Sequence, residues 1–374
     1  MTSYHAVPIN DRSESPASFK TKSRSVIATV MLTICIVSFV LQTELAQYVQ
    51  QTTDYQKPYF ILYVSHSCYI FMIPIQFLAE CIGRGWPTKP SAALGHVIET
   101  AGHCKNELAQ SLLELQGRVK GENTTNRLSI RFIISTGLWL AILLTLPAYL
   151  WYVSVNLTSM SNLTAIYNTG CFFAYVFSVW LLHDRLMATK IAAILLCMIG
   201  VFLMAFWTPG DQPAQSQTLG ISVAVLGAAL YGFYEVYYKK YASPSQASVL
   251  FANTVTGAIG IITLLILWIP LPVLHFSGYE TFELPDLETF VYILGIASMS
   301  VVYNATFMCV IALVNPVFAA VGVMLTVPAV AVTDVLVTGV MVPGSTLVGS
   351  ILILIGFYIL NRQVKNETEE IDIS

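Results

Sequence analysis

The chain has 374 residues, of which 56% are apolar and only 10% charged, with mean hydropathy +0.69 and a formal net charge of −3. Typical soluble domains carry about 25% charged residues, and a single soluble core of this size cannot hide so much apolar surface. The composition excludes a soluble globular protein, and the absence of a basic surface or a base-reading motif argues against nucleic acid as a partner.

Residues 1–25 are polar and read as an N-terminal tail. They mix acids and prolines with bases, which makes a poor mitochondrial transit peptide. The apolar block that follows is long enough for a signal-anchor, so no cleavable signal is expected. Tyr4-His5-Ala6-Val7 fits a tyrosine-based sorting pattern of the kind that also arises by chance.

Apolar blocks of about 20 residues, the length that crosses a bilayer core as helix, then recur down the chain. They predict ten spans, at 26–47, 58–80, 129–153, 160–182, 188–207, 218–238, 247–269, 289–311, 314–338 and 345–361. The fourth begins with the polar run Ser161-Asn162-Leu163-Thr164. The eighth and ninth are split at Asn315-Pro316, because proline breaks a helix and supplies no N–H.

The longest polar piece is 81–128. Leu108, Leu112, Leu115 and Val119 recur there at helical spacing, up to Gly121-Glu122-Asn123. Two readings stand: an amphipathic helix on the cytosolic leaflet, or a partly disordered loop.

Basic residues mark the cytosolic side of a membrane protein. With the N-terminus inside, 17 of the 18 Lys and Arg fall on one side, and only Lys57 lies on the other. Asp54, Asp211, Glu280, Glu283, Asp286 and Glu288 fall opposite. An even number of spans with both termini cytosolic follows. Among the sequons, only Asn156 and Asn162 face the lumen, both too close to the membrane to be good acceptors.

Residues 166–203 overlay 322–359 without gaps, bringing Gly200 onto Gly356, Leu195 onto Ile351 and Ile191 onto Leu347. The first and sixth spans each end with one acid in an otherwise uncharged helix, Glu44 and Glu235. Five spans per half is odd, so the second half enters from the opposite side and the repeat is inverted. The expected fold is an all-α integral membrane protein of five plus five helices. Its divisions are a tail at 1–25, a first repeat at 26–207 holding the loop 81–128, a second repeat at 208–361, and a cytosolic tail at 362–374.

The seven cysteines lack metal-ligand spacing, and neither a metal nor a cofactor is expected. Charges inside a bilayer are costly and mark function by default, which singles out Glu44, Glu235 and Asp334 as pathway or coupling residues. Their bland alternative is snorkelling or pairing with a neighbouring helix. His66 offers a proton relay or a packing histidine. In the fourth span Ser161, Thr164, Asn168, Cys171, Tyr175 and Ser178 form one polar stripe, read as pathway lining. Tyr231, Tyr234 and Tyr238 surround Glu235 in sequence, and rings beside an acid suit an organic cation.

The runs Thr43-Glu44-Leu45 with Tyr48, Tyr55-Gln56-Lys57-Pro58-Tyr59-Phe60, and His183-Asp184-Arg185 with Lys190 carry a family resemblance. So do Leu267-Trp268-Ile269-Pro270, Leu274-His275-Phe276-Ser277-Gly278-Tyr279-Glu280, and Leu325-Thr326-Val327-Pro328 with Asp334. The chain resembles the drug/metabolite transporter superfamily over about 26–361, and within it solute carrier family 35 subfamily F and the fungal thiamine-repressible transporter group. The resemblance implies ten helices in an inverted repeat and secondary transport by alternating access. The sequence agrees that ATP is not used, having no glycine-rich phosphate loop. The paired signatures of guanosine-sugar carriers are absent, Tyr303-Asn304 being a fragment of one.

The expected function is therefore transport of a small metabolite across an intracellular membrane (Golgi, vacuole or other endomembrane), leaning to an organic cation or vitamin-like solute. A nucleotide-sugar antiporter of the secretory pathway is the alternative, and a non-transporting receptor or scaffold is the rival of another class. Enzyme motifs are missing. The expected partners are the solute and the bilayer, with a homodimer as one arrangement the sequence leaves open.

Overall fold

The computed structural model describes residues 16–53, 55–120, 128–183, 186–206, 214–245, 248–313, 322–339 and 341–373. Tyr4-His5-Ala6-Val7, Asp54, Gly121-Glu122-Asn123, Asp184-Arg185, Asp211 and the Asn315-Pro316 split lie outside the described residues. Every regular element among the described residues is helical.

The chain opens with α1 (Pro16–Gln51), which is longer than the first apolar block. The second block is α2 (Pro58–Ser67), a 3-10 turn at Cys68–Phe71 and α3 (Met72–Gly83). Pro58 stands in the first turn of α2, where its missing N–H costs nothing. The segment after it is α4 (Pro90–Lys120), so the amphipathic helix replaces the disordered-loop reading. Its apolar seam is divided: Leu115 turns inward at 2% exposure, Leu108 and Leu112 are half-buried, and Val119 is exposed.

The third and fourth blocks are α5 (Ile130–Val155), α6 (Met160–Tyr167) and α7 (Gly170–Leu181). Ser159 caps α6, its hydroxyl accepting from the Asn162 N–H at 3.3 Å. Then come α8 (Ala188–Phe206), α9 (Ala214–Tyr241), α10 (Val249–Ile266) and the short α11 (Pro270–Phe276). The chain ends with α12 (Leu287–Leu313), α13 (Thr326–Thr338) and α14 (Gly344–Ile373). Gly339 stops α13 with φ +71°, a left-handed cap that glycine adopts without a Cβ penalty. Both tails expected as separate from the spans are thus partly helical.

Among the described residues, seven helices are long and apolar enough to cross a membrane: Val26–Gln51, Pro58–Gly83, Ile130–Val155, Met160–Leu181, Thr218–Tyr241, Val249–Ile266 and Leu287–Val310. Three more apolar helices, Ala188–Met204, Thr326–Val337 and Gly344–Leu360, are shorter. Their outer faces are apolar at helical spacing. On α1 these are Val26, Val30, Ile34, Val37 and Leu41; on α3 they are Ile75, Leu78 and Ile82. Such a belt requires lipid, since water would be repelled along its whole height.

The helices pack in a recurrent pattern. α1 lies along α12 and touches α13; α9 lies along α5 and packs on α6 and α7. α10 packs on α2, α3 and α5, while α2 packs on α12. α8 runs against α14.

The α8–α14 crossing is built from small residues. A Cβ on Gly200 would stand 2.7 Å from the Gly349 carbonyl oxygen, and one on Gly349 would stand 2.7 Å from that of Gly200. A Cβ on Gly356 would meet Cys197 and the Ala193 carbonyl. Close backbone approach of this kind is how apolar helices associate in lipid. In the overlay of 166–203 on 322–359, Gly200 corresponds to Gly356, Ala193 to Gly349 and Cys197 to Ile353. The contact of Gly200 with Gly349 therefore returns as that of Gly356 with Ala193. At the centre, the Cys197 thiol donates to the carbonyl of its own counterpart, Ile353, at 3.4 Å.

The same overlay relates two helix breaks. The helical path stops at Asn168–Thr169 between α6 and α7, and again at Met324–Leu325 before α13. Thr169 N–H donates to Ile166 O at 2.9 Å, and Leu325 N–H donates to Gly322 O at 3.1 Å. Phe173 to Thr169 and Ala329 to Leu325 repeat the correspondence one turn later.

Candidate functional site

Five tyrosines and one acid define the candidate site inside the bundle. α9 presents Tyr231, Tyr234, Glu235 and Tyr238 within two turns, with ring centroids of Tyr231–Tyr234 at 6.0 Å and Tyr234–Tyr238 at 6.3 Å. The Glu235 side chain is exposed, yet it stands in electrostatic reach of Cys171 on α7, Tyr231 and Tyr234 on α9, and Tyr303 on α12. The accessible carboxylate of α9 thus has α7 and α12 as its neighbours. Tyr231 is also open, at 37%.

α12 supplies the facing wall. Tyr303 stacks on Phe307 at 6.0 Å with the rings 2° from parallel, and Phe39 of α1 tilts against it at 5.4 Å. Tyr69, in the 3-10 turn between α2 and α3, shares a 3.0 Å hydrogen bond with the Ser300 hydroxyl. It lies in reach of Tyr231, Tyr234 and Tyr303. The His66 ring stacks behind it, centroids 4.9 Å apart. This arrangement brings together Glu235, Tyr231 and Tyr234, with His66 in a supporting layer one ring removed.

The other residues singled out from the sequence are placed elsewhere. Glu44 lies on α1, and both its carboxylate oxygens are closed to solvent. Asp334 belongs to α13, and its side chain lies outside the described residues. Asn168 sits at the break below Cys171, where its amide donates to Thr164 O at 2.8 Å. Tyr175 serves the α7–α8 connection: its hydroxyl accepts from Met187 N–H at 3.2 Å, and the Lys190 ammonium lies 5.0 Å over its ring.

The polar stripe is split. Its α6 part is packed into protein, Ser161 at 2% exposure and Thr164 at 0%. The adjacent Asn162 accepts from the Thr346 hydroxyl at 2.8 Å and is equally buried, which removes it as a glycan acceptor. Cys171, Tyr175 and Ser178 on α7 stay partly open.

One end of the bundle is strapped shut. Glu280, 6% exposed, accepts from the backbone N–H groups of Tyr59 and Phe60, each at 3.0 Å. Those N–H groups belong to the first turn of α2 and have no partner within the helix. Burial pushes the Glu280 carboxyl above the usual carboxylate range, against the pull of the two N–H donors and of Lys57. Lys57 donates to the Thr281 hydroxyl at 2.6 Å and pairs with Glu283 at 3.6 Å. Tyr55 donates to Glu283 O at 2.7 Å, and Phe60 packs edge-on against Phe282. Sequence reasoning missed this role of Glu280, and also Tyr69 and Tyr303, because each acts with partners over 200 positions away, and it missed Phe307, which stacks on Tyr303.

The fold and site define a multi-pass helical membrane protein with an acid- and ring-lined interior. Residues 119–206 match the EamA-like transporter family. That stretch is similar to a domain of the drug/metabolite transporter superfamily, and several relatives aligned over most of the chain carry transporter names.

Three relatives illustrate the likeness. The thiamine-repressible mitochondrial transport protein THI74 of Saccharomyces cerevisiae is 23% identical over 92% of this chain and 94% of its own length. The uncharacterized vacuolar membrane protein YML018C of the same yeast is 23% identical over 94% of each. Human solute carrier family 35 member F3 is 23% identical over 72% of this chain and 62% of its own length.

Proposed function

We propose that the chain is a secondary transporter of a small metabolite, working by alternating access between two five-helix halves, 26–207 and 208–361. The reading takes the seven long apolar helices together with the three shorter ones as ten spans. Exchanging each helix for its counterpart five spans later turns the α1–α12 pairing into α9–α5, and the α9–α7 pairing into α1–α13. It returns α8–α14 to itself, as an inverted repeat requires. The spans α6–α7 and α13 break at corresponding positions, and discontinuous helices in such carriers border the solute site.

The single observation that carries the reading is the asymmetry between counterpart acids. Glu235 is exposed beside α7 and α12 while both carboxylate oxygens of Glu44 are closed to solvent, on the side where Glu280 straps the loop to α2. A two-state carrier caught with one mouth open has this property; a channel does not. The mouth by Glu235 lies at the end that carries Lys239 and Lys240, the cytosolic end by charge placement. Both termini are then cytosolic. The vacuolar name of one relative and the mitochondrial name of another favour an intracellular membrane.

A carboxylate among tyrosine faces suits a small organic cation through ion pairing and cation–π attraction. Polyphosphate would call for basic partners, which weighs against a sugar-nucleotide antiporter. The test is uptake by the purified full chain in vesicles, across organic cations, vitamins and nucleotide sugars. Saturable cation uptake is expected, with Glu235→Gln raising KM about tenfold, equivalent to about 1.4 kcal/mol. Stimulation by trapped nucleoside monophosphate would select the antiporter, and no saturable uptake of any solute would leave a receptor or scaffold.

A further inference from the structure

The carrier reading gives no work to α4, a helix with three distinct faces. Successive residues turn about 100°, which puts Thr100, Cys104 and Leu115 on one face, exposed by 1%, 7% and 2% against α3 and α10. One flank carries His96, His103, Glu107 and Glu114. The opposite flank carries Leu94, Ile98, Ala101, Leu108, Leu112 and Val119. Leu94 is 71% exposed, Ile98 63% and Val119 47%.

The roll of α4 is held by its polar flank. His96 Nε2 meets Cys81 O at 2.9 Å, and Arg84 meets His103 Nδ1 at 2.6 Å. Glu114 accepts from Ser245 N–H at 2.9 Å and from its hydroxyl at 2.6 Å. With those ties made, the outermost leucine and isoleucine of the apolar flank stay uncovered among the described residues, Leu94 and Ile98 both being exposed. The exposed apolar stripe of Phe71, at the end of the 3-10 turn, and Ile75, Leu78 and Ile82 on α3 leads directly into the turn that feeds α4. Lys105 projects from the same flank, where a long stem can rest on apolar surface and raise its charge to the headgroups.

We propose that α4 is an interfacial helix whose Leu94–Ile98–Val119 flank is seated in the headgroup–acyl boundary of the leaflet at the basic end of the bundle. The bilayer thus anchors the element that grips the 243–245 connection between α9 and α10. The helix is a surface for lipid, independent of which solute is carried.

Tryptophan scanning of the full chain in nanodiscs tests this. Gly95 has open space around it and projects away from both bundle and flank, so Gly95→Trp is the water-facing control. Leu94→Trp and Ile98→Trp each add a probe on the flank, so one poorly folding variant leaves the other. In brominated-chain phosphatidylcholine the added emission at 94 or 98 is expected to fall by about half, as suits the roughly 5–10 Å depth of interfacial helices. Aqueous iodide is expected to quench position 95 alone. Iodide quenching of 94 and 98 like 95 overturns the proposal. So does shielding from both quenchers with doubled particle mass, which would assign the flank to a second copy of the chain.

Discussion

At the scale of single residues, acids at the two ends of the bundle have opposite tasks. Glu235 stays reachable among rings, whereas Glu280 is spent on holding protein together. Removing its carboxylate in Glu280→Ala leaves the Tyr59 and Phe60 N–H groups without their acceptor. An unmet buried donor costs about 1–3 kcal/mol. Amide exchange across 59–62 is expected to quicken accordingly, and Glu280→Gln, which keeps an acceptor oxygen, to recover part of the protection. Glu235, Tyr231 and Tyr234 could be read from the sequence because they are neighbours on one helix, and a lone acid in an apolar run is conspicuous. Tyr69 and Tyr303 could not, since a tyrosine in a span looks like packing until the helix opposite is known. Glu280 had the same problem in reverse, for an acid between two spans looks solvated.

At the scale of elements, small residues and breaks do the positioning. A side chain on Gly349 would drive into the Gly200 carbonyl and Met204. Overpacking costs about 1–3 kcal/mol, so Gly349→Leu is expected to lower the melting temperature in nanodiscs, while Gly344→Ala, in open space, is expected to leave it unchanged. The α4 attachment has a pH dependence of known sign. Hydrogen bonds from Ser245, first from its hydroxyl and then its N–H, and the Arg118 charge hold the Glu114 carboxyl below the usual carboxylate range. A depressed folded pKa contributes stability above the unfolded value and loses it as pH falls through the folded one. Exchange at the Ser245 amide, corrected for its intrinsic rate, is expected to stay slow at neutral pH and rise in acid below the ordinary carboxylate range. Glu114→Gln is expected to remove that dependence. The existence of α4 was half visible in its leucine spacing; which face those leucines take depended on α3 and α10, which spacing alone does not supply.

At the scale of the molecule, the pairing of counterpart helices organises everything else. The overlay of 166–203 on 322–359 could be drawn from sequence, although apolar helices always resemble one another. Its weight comes from details that hydropathy does not encode: a shared break at Asn168–Thr169 and Met324–Leu325, and a glycine crossing that returns to itself. On the proposed carrier reading, two such halves lead to reciprocal access, with the ends never open together. The direct measurement is labelling by an impermeant thiol reagent of Tyr231→Cys at the exposed α9 site and Glu44→Cys behind the strap, each compared with the parent chain. Position 231 is expected to react and 44 to resist. Adding Glu280→Ala to loosen the strap should raise labelling at 44 and lower it at 231 in the same proportion. Labelling that rises at 44 with no fall at 231 would contradict alternating access and indicate a continuous pore.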